Sequence, residues 1–152
     1  MGKARGGLLI LALTLVACDE TRIRRSPADP RSRIEFCIAE DSASAGTEPV
    51  RLTDPPGTVH VRPEVVISNS DIKAVAVEPS RIGYRISILF TDQAAARLRA
   101  VTERNLQKRM AIMIDGSILI APVIQEHIGE QVAIEHAYSK GEAIALARRI
   151  AP

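Results

Sequence analysis

The sequence predicts an α+β domain in which an antiparallel or mixed sheet has two helices packed on one face. Several short apolar runs alternate with polar residues, a pattern typical of half-buried strands. Asp115-Gly116 separates two apolar runs, and this pair favours a tight hairpin because Gly tolerates a positive φ. Two longer stretches repeat apolar residues at the helical spacing i, i+3, i+4. Short connections between these elements favour one layer of strands against one layer of helices.

The first half of the predicted domain consists of strands. They are expected at residues 34–39, 59–61, 65–67, 72–78 and 84–90. In the last of these, apolar and polar side chains alternate, so one face of the strand should be buried. Residues 40–57 are rich in Ser, Pro, Gly, Asp and Thr and predict a long loop.

The second half begins with a helix. Thr91 or Asp92 can cap this helix, which is predicted to run to about Lys108. Two apolar strands at residues 110–114 and 117–121 then flank the Asp-Gly pair. That pair is therefore interpreted as a structural turn and not as a catalytic aspartate.

The chain ends in a second helix. A strand at residues 131–135 precedes Ser139 and Glu142, which have the spacing of a capping box. The helix after it has one apolar side, formed by Ala143, Leu146, Ala147 and Ile150.

Residues 1–17 have the three parts of a secretory signal peptide. Lys3 and Arg5 form a basic start, residues 8–16 are apolar, and small residues follow. The apolar run is about nine residues long, whereas a membrane-spanning helix needs about 20. A cleaved signal is therefore favoured over a permanent transmembrane anchor.

Cys18 is the predicted lipidation site. Residues 15–18 read Leu-Val-Ala-Cys and resemble the bacterial lipobox, in which the cysteine receives a diacylglyceryl group. Buried acyl methylenes contribute about 0.8 kcal/mol each, so two or more chains give stable anchoring. Asp19 resembles a signal for retention in the inner membrane. An ordinary signal peptide with an incidental cysteine is the alternative.

Residues 18–33 are predicted to be a flexible tether, and residues 34–152 to be the folded domain. The tether contains prolines and arginines, with Ile23 as its one large apolar residue, and such a composition cannot bury a core. Cys37 lies between apolar neighbours and is interpreted as a buried strand residue. An intermolecular disulfide or a reactive thiol is the alternative.

The composition argues against a nucleic-acid-binding protein. The net charge of +2 comes from Lys3 and Arg5, since the remaining basic residues equal the 18 acidic residues in number. Only 3% of residues are aromatic, which leaves few side chains for stacking on bases. Charge therefore indicates neither nucleic acid nor a strongly acidic substrate.

Neither a catalytic site nor a metal site is predicted. His60, His127 and His136 are scattered, and the sequence has no zinc-protease helix, phosphate loop or nucleophile elbow. Glu126 and His127 could act as acid and base, but adjacent residues on a strand face opposite ways. Two histidines without a third ligand would make a weak metal site. The sequence thus predicts a protein that is not an enzyme and needs no cofactor.

The C-terminal half resembles the head subdomain of the first periplasmic domain of SecD, the membrane component that assists protein export. The matching motifs are ISILFTDQ, Thr102 with Asn105, AIMIDGSILIAPVI, Gly129 and GEAIALARRI, in that order over about 65 residues. SecD also has a second periplasmic region and membrane-spanning helices, which are not predicted here. A proton-driven motor is therefore not expected of this chain alone. Family members tend to have more glycines after the hairpin.

Combined with the lipobox-like sequence at residues 15–18, the resemblance implies a lipid-anchored module at the periplasmic side of the cell envelope. Its partners would be secreted polypeptides or Sec translocase subunits. The expected partner-binding residues are Ala121, Pro122, Ile124, Glu126 and Gly129. The alternative is an envelope lipoprotein that uses the same fold for a structural or small-ligand-binding role.

Overall fold

A computed structural model of the chain describes residues 21–24 and 31–152. The predictions of a signal peptide at residues 1–17, of lipidation at Cys18 and of a sorting role for Asp19 concern residues outside the described ones.

The described residues form nine strands, two α-helices and one 3₁₀ turn. In chain order they are β1 (Thr21–Ile23), β2 (Ile34–Glu40), β3 (Glu48–Leu52), β4 (Gly57–Ser68), the 3₁₀ turn (Asn69–Asp71), β5 (Ile72–Ser80), β6 (Gly83–Phe90), α1 (Asp92–Glu103), β7 (Arg109–Ile114), β8 (Ser117–Ile120), β9 (Gln131–His136) and α2 (Lys140–Ile150).

The strands form two antiparallel sheets. The smaller sheet has the order β1-β5-β6-β9, and the larger has the order β3-β4-β2-β7-β8. Helix α2 packs on β5 and β6 of the smaller sheet, while α1 packs on β4 of the larger sheet. The predicted α+β class, with antiparallel strands and two packed helices, is confirmed. The strands are divided between two sheets instead of forming one.

The main core is formed by side chains of both sheets and both helices. Phe36 on β2 and Phe90 on β6 meet edge to face, with ring centroids 5.6 Å apart. Ile86 and Ile88 on β6 and Leu98 on α1 are fully buried in the same cluster. Each such side chain contributes about 1.5–3 kcal/mol when it leaves water. Because aromatic residues are scarce, this core depends on branched aliphatic side chains.

A second, smaller apolar cluster lies on the other side of the larger sheet. Cys37, Ala39, Val59, Val61 and Ala111 are buried there. The sheet curls over them, since Cα atoms of its two edge strands, β3 and β8, come within 8 Å of each other. The interpretation of Cys37 as a buried strand residue is confirmed. Burial is also the main reason that the pKa of its thiol is raised to about 11.

The segment predicted as a long loop contains a strand. Residues 48–52 pair with β4, although their own sequence has little strand pattern. Pro49 fits this place because β3 is an edge strand, where a missing N–H costs no ladder bond on the outer side. The two short runs expected at residues 59–61 and 65–67 are parts of the single long strand β4.

Helix α1 is shorter than predicted. It ends at Glu103 instead of continuing to about Lys108. Gln107 has a φ of 67°, a left-handed conformation that cannot continue a right-handed helix. The Gln107 backbone N–H donates to the Ile124 carbonyl oxygen at 2.9 Å, so contacts distant in sequence fix this turn.

Part of the predicted tether is a strand, which corrects the prediction for those residues. Thr21–Ile23 pairs with β5, and the Ile23 side chain is buried in the main core. Ser32 is also buried, and its backbone N–H donates to the Arg149 carbonyl oxygen at 3.0 Å. Burial of Ile23 and pairing with β5 are therefore sufficient for residues 21–23 to form a strand.

Candidate functional site

The predicted partner-binding residues lie in the connecting segment, residues 121–130, between β8 and β9. Its first part runs beside the start of β7. The Met110 N–H donates to the Pro122 carbonyl oxygen at 2.9 Å, and the Ile124 N–H donates to the Lys108 carbonyl oxygen at 2.8 Å. The connecting segment therefore extends the larger sheet without regular strand pairing.

The connecting segment is fixed to the fold at three points along its length. The Ile124 side chain is 2% exposed and belongs to the main core. The Ile128 backbone N–H donates to the Thr102 hydroxyl on α1 at 2.9 Å. Finally, the Phe90 N–H donates to the Glu130 carbonyl oxygen at 2.9 Å. The side chains between these points therefore project from a backbone that is fixed in position.

The five predicted contact residues differ in exposure. Pro122 and Glu126 are exposed, while Ala121 and Gly129 are partly buried. The prediction needs correction at Ile124, because its side chain fills the core and cannot reach a partner. The exposed neighbours Val123, Gln125 and His127 were not included in the prediction. The alternation of buried and exposed side chains around Ile124 is the signal that could have identified these neighbours.

A depression lies between the end of the connecting segment and α1. It is open, has a volume of about 570 Å³, and is lined by Asp92, Ala95, Ala96, Arg99, Gly129 and Glu130. The four helical residues have the spacing i, i+3, i+4, i+7 and so share one helix face. The sequence indicated the apolar side of α1 but not this second side. On the second side, Ala95 and Ala96 leave space next to the charged side chains of Asp92 and Arg99.

Charges around this depression are mixed in sign. Asp92 and Glu130 are acidic, whereas Arg99 is basic. An Arg99 guanidinium nitrogen lies 3.0 Å from the His127 Nε2 atom. Glu126 and His127 are both exposed. The surface around the depression therefore offers partners for charges of either sign.

Strand β9 directly follows the connecting segment and forms an edge of the smaller sheet. It pairs with β6 on one side, and within the described ranges no strand pairs with its other side. Ala133 and Glu135 on β9 are exposed. An edge strand with unpaired N–H and C=O groups can accept an extended polypeptide as an additional strand.

The predicted structural turn joins three parts of the fold. Asp115 has a φ of 51° and Gly116 a φ of 81°, as expected of a tight hairpin turn. The Asp115 carboxylate accepts bonds from the Arg33 backbone N–H at 2.8 Å and from the Arg149 guanidinium at 2.9 Å. The Arg33 bond is the first cause that lowers the pKa of Asp115. The carboxylate thus connects the hairpin turn to the residue before β2 and to α2.

A smaller depression lies on the outer face of the smaller sheet. Its volume is about 280 Å³, and its lining residues are Arg22, Lys73, Ala74, Ala76, Ser87, Leu89 and Gln131. The Ser87 hydroxyl is buried and has no hydrogen-bond partner among the residues that the structure describes. Two cations and an unpaired hydroxyl at one place are chemically suited to a small anion.

Neither a metal centre nor a membrane span is found in the described part of the chain. Across residues 21–24 and 31–152, no three His, Cys, Asp or Glu side chains are grouped so that they could hold a metal ion. Neither of the two helices there has the length and apolar character needed to cross a bilayer.

Comparison with known sequences identifies relatives in protein export. Protein translocase subunit SecDF of Thermus thermophilus is 41% identical over 64 residues, which are 41% of this chain and 9% of that protein. Protein translocase subunit SecD of Syntrophobacter fumaroxidans is 28% identical over 102 residues, which are 60% of this chain and 19% of that protein. The chain therefore spans less than one fifth of either relative.

Two solved structures share the fold. A structure of the membrane component SecDF, which enhances protein export, gives a TM-score of 0.57 at 23% identity over 80% of this chain and 64% of that chain. A crystal structure of SecDF in a super-membrane-facing form gives a TM-score of 0.58 at 24% identity over 80% of this chain and 19% of that chain.

The family match covers most of the described domain. The sequence model of the family described as SecDF, P1 head subdomain, matches residues 47–151. This range includes the hairpin turn, the connecting segment and both helices. The chain belongs to the SecDF P1 head subdomain family.

Proposed function

We propose that this domain binds extended polypeptide in connection with protein export, through the connecting segment and the adjoining edge of β9. The observation that supports this most directly is the continuity of the two surfaces. The Glu130 carbonyl oxygen accepts the Phe90 N–H at 2.9 Å, and β9 begins at the next residue. A polypeptide paired with β9 would therefore pass beside exposed side chains of the connecting segment.

The chemistry of this surface fits a partner of variable sequence. Backbone hydrogen bonds along an edge strand do not depend on the partner's side chains. The neighbouring depression has small residues on its floor and charges of both signs at its rim, so it does not require one type of charge. Secreted polypeptides and subunits of the Sec translocase are the partner classes that the family relationship favours.

The proposal includes a lipid anchor at Cys18, on the extracytoplasmic side of the cytoplasmic membrane. The lipobox-like sequence of residues 15–18, preceded by a short apolar run, supports acylation. Asp19 favours retention in the inner membrane. Thr21 already belongs to a strand, so an acylated Cys18 would hold the domain close to the bilayer.

Site-specific photo-crosslinking in the envelope tests polypeptide binding. A photoreactive amino acid replaces Val123, which is 37% exposed in the connecting segment. The matched control replaces Val65, which is 44% exposed on the larger sheet. We expect crosslinks to secretory polypeptides or translocase subunits from position 123 and not from position 65. Equal yields at both positions in a folded protein would contradict the proposal.

Metabolic labelling tests the anchor separately. A fatty-acid analogue should label the wild-type chain, and Cys18→Ala should lose the label. Cys37→Ala is the matched control, since this thiol is buried in the domain and its loss should leave labelling unchanged. Labelling that persists in Cys18→Ala would refute the lipidation site.

Small-ligand binding at the outer-face depression is the second candidate function. The unpaired Ser87 hydroxyl favours it, because buried polar groups usually have a partner. Arg22 and Lys73 beside it favour an anion. Inorganic phosphate or acetate should then raise the melting temperature of the wild type more than that of Lys73→Ala. Equal shifts would exclude this role.

A further inference from the structure

The turn between β5 and β6 exposes an apolar side chain next to a cation. We call residues 80–83 the hairpin tip, which is closed by the pair Ser80 and Gly83. Ile82 is 60% exposed, the highest value for a large apolar residue in the described ranges. Arg81 is also exposed, and it forms no ion pair with a residue that the structure describes. The hairpin tip therefore presents an apolar side chain next to a positive charge at the surface of the domain.

The hairpin tip is held in place by the fold. The Tyr84 N–H donates to the Tyr138 carbonyl oxygen at 3.1 Å, and Tyr138 immediately precedes the cap of α2. Gly83 has a φ of 144°, and a Cβ there would lie 2.6 Å from that same carbonyl oxygen. The backbone of the hairpin tip is thus packed against the start of α2. Contact of the hairpin tip with a surface would therefore cost little conformational entropy.

The pairing of β1 places Thr21 within a few residues' length of this tip. Thr21 pairs with Val77 on β5, antiparallel, so Thr21 is the β1 residue closest to the end of β5 that leads to the hairpin tip. Cys18 precedes Thr21 by three residues, which can span at most about 11 Å. Val77 precedes Ser80 by the same three residues, or about 10 Å of strand. Cys18 can therefore lie at most about 11 Å from Thr21. This limit is close to the length of strand between Val77 and the tip.

The connecting segment lies at the other end of β6. This strand starts at the hairpin tip with Gly83 and ends at Phe90, about 23 Å away at the usual rise per residue. There the Phe90 N–H is bonded to the Glu130 carbonyl oxygen. A bilayer that contacts the hairpin tip would therefore lie at the opposite end of β6 from Glu130, where the connecting segment ends.

We infer that the hairpin tip docks on an anionic phospholipid surface, with the Ile82 side chain in the interfacial region and Arg81 among the phosphates. This inference rests on the proposed acylation of Cys18, which supplies the membrane attachment. Apolar side chains enter the headgroup boundary favourably, and basic side chains beside them are attracted to anionic lipid. Docking at the tip fixes the orientation of the domain, so that the polypeptide-binding edge of β9 is accessible to partners.

Depth-dependent fluorescence on the full acylated chain tests this orientation. Cys37→Ala provides a background in which Ile82→Cys introduces an accessible thiol for a nitrobenzoxadiazole label. The matched control is Leu106→Cys, at a residue that is 47% exposed and next to Gln107, which bonds to the connecting segment. Both proteins are reconstituted in vesicles of phosphatidylcholine with phosphatidylglycerol. We expect a blue shift and quenching by nitroxide-labelled lipid at position 82, and neither at position 106.

The outcomes separate the two proposals. Chains that float with the vesicles while position 82 remains unquenched would overturn docking and leave the anchor intact. Chains that do not float and carry no acyl group by mass spectrometry would overturn the anchor and, with it, the docking that depends on it. Arg81→Glu should reduce quenching at position 82, whereas Arg104→Glu, another exposed arginine, should not. Equal effects of the two arginine substitutions would contradict the role of Arg81.

Discussion

The Thr102 hydroxyl links helix α1 to the connecting segment. It donates to the Leu98 carbonyl oxygen at 2.9 Å and accepts the Ile128 backbone N–H, also at 2.9 Å. Thr102 is fully buried, and its bond to the Leu98 carbonyl oxygen is buried with it, whereas the bond from Ile128 is partly buried. A single side chain thereby supplies the acceptor for a backbone N–H in a segment that has no regular secondary structure at that point.

Replacement of this hydroxyl should destabilise the domain and loosen the connecting segment. Thr102→Val keeps the shape of the side chain but leaves the Ile128 N–H without its acceptor. A hydrogen bond of this kind contributes about 0.5–1.5 kcal/mol to stability, and urea unfolding should detect its loss. Thr102→Ser retains the hydroxyl and is the matched control. Valine and serine variants of equal stability would show that the hydrogen bond contributes nothing.

The sequence-based prediction of the fold succeeded where periodicity is strong. The alternation in β6 and the capping box of α2 both depend on contacts within a few residues, and both elements are present. The Ser139 N–H donates to the Glu142 carboxylate at 2.8 Å, as the spacing had indicated. The turn at Asp115 and Gly116 succeeded for the same local reason.

The prediction failed where pairing with a distant strand decides the structure. Strand β3 contains Pro49 and has only two partly buried residues, Val50 and Leu52, so its own pattern indicated a loop. Strand β1 is three residues long, too short for a period to be visible. The division into two sheets depends on the same long-range pairing.

The candidate site could be predicted only in part. The connecting segment was found from its motif, but which of its residues face solvent depends on Ile124, whose burial involves the main core. The depression beside α1 was missed because it joins a helix face to Gly129 and Glu130, which lie thirty or more residues away in the chain. Spacing within one helix cannot indicate which segment packs beside it.

Removal of the unpaired hydroxyl on the smaller sheet should stabilise the protein. Ser87 is buried between the alanines that pair with it, Ala76 and Ala133, and its hydroxyl has no hydrogen-bond partner within residues 21–24 and 31–152. Leaving such a group unsatisfied costs about 1–3 kcal/mol, so Ser87→Ala should raise the free energy of unfolding, by about 1 kcal/mol once lost packing is included. Chemical denaturation in a buffer without small anions measures this. If Ser87→Ala were less stable than the wild type, the Ser87 hydroxyl would have to form a stabilising hydrogen bond with solvent, which would contradict the prediction.

Gly83 should not tolerate a side chain. Its φ of 144° is strained for any other residue, and an added Cβ would come within 2.6 Å of the Tyr138 carbonyl oxygen. Gly83→Ala should therefore cost about 2–3 kcal/mol, from backbone strain together with the displaced pairing of Tyr84. Gly141→Ala is the control, because the helical site is open and alanine favours the helix by about 1 kcal/mol. Thermal unfolding should shift in opposite directions for the two variants.

The stability of the domain should fall in acid partly through Glu40. Its Oε1 atom accepts hydrogen bonds from the Arg62 guanidinium, whose Nε lies at 3.0 Å, and from the Lys108 ammonium at 3.1 Å. The Arg62 bond, followed by the Lys108 bond, lowers the pKa of Glu40 from 4.5 to about 2. Because the folded state holds the charged form more strongly than the unfolded chain does, this contribution is complete above pH 4.5. It is lost progressively as the pH falls toward 2.

Glu40→Gln removes this titration and should flatten the decline in stability between pH 4.5 and 2. At neutral pH the same variant should be less stable than the wild type, because Arg62 and Lys108 both lose a charged partner. Glu64→Gln is the control, since Glu64 is exposed and forms no ion pair within the described part of the chain. The free energy of unfolding, measured by urea titration at several pH values, should show parallel curves for the wild type and Glu64→Gln. A Glu40→Gln curve parallel to both would mean that the contacts of Glu40 with Arg62 and Lys108 do not contribute to stability, because the carboxylate would then titrate alike in the folded and unfolded states.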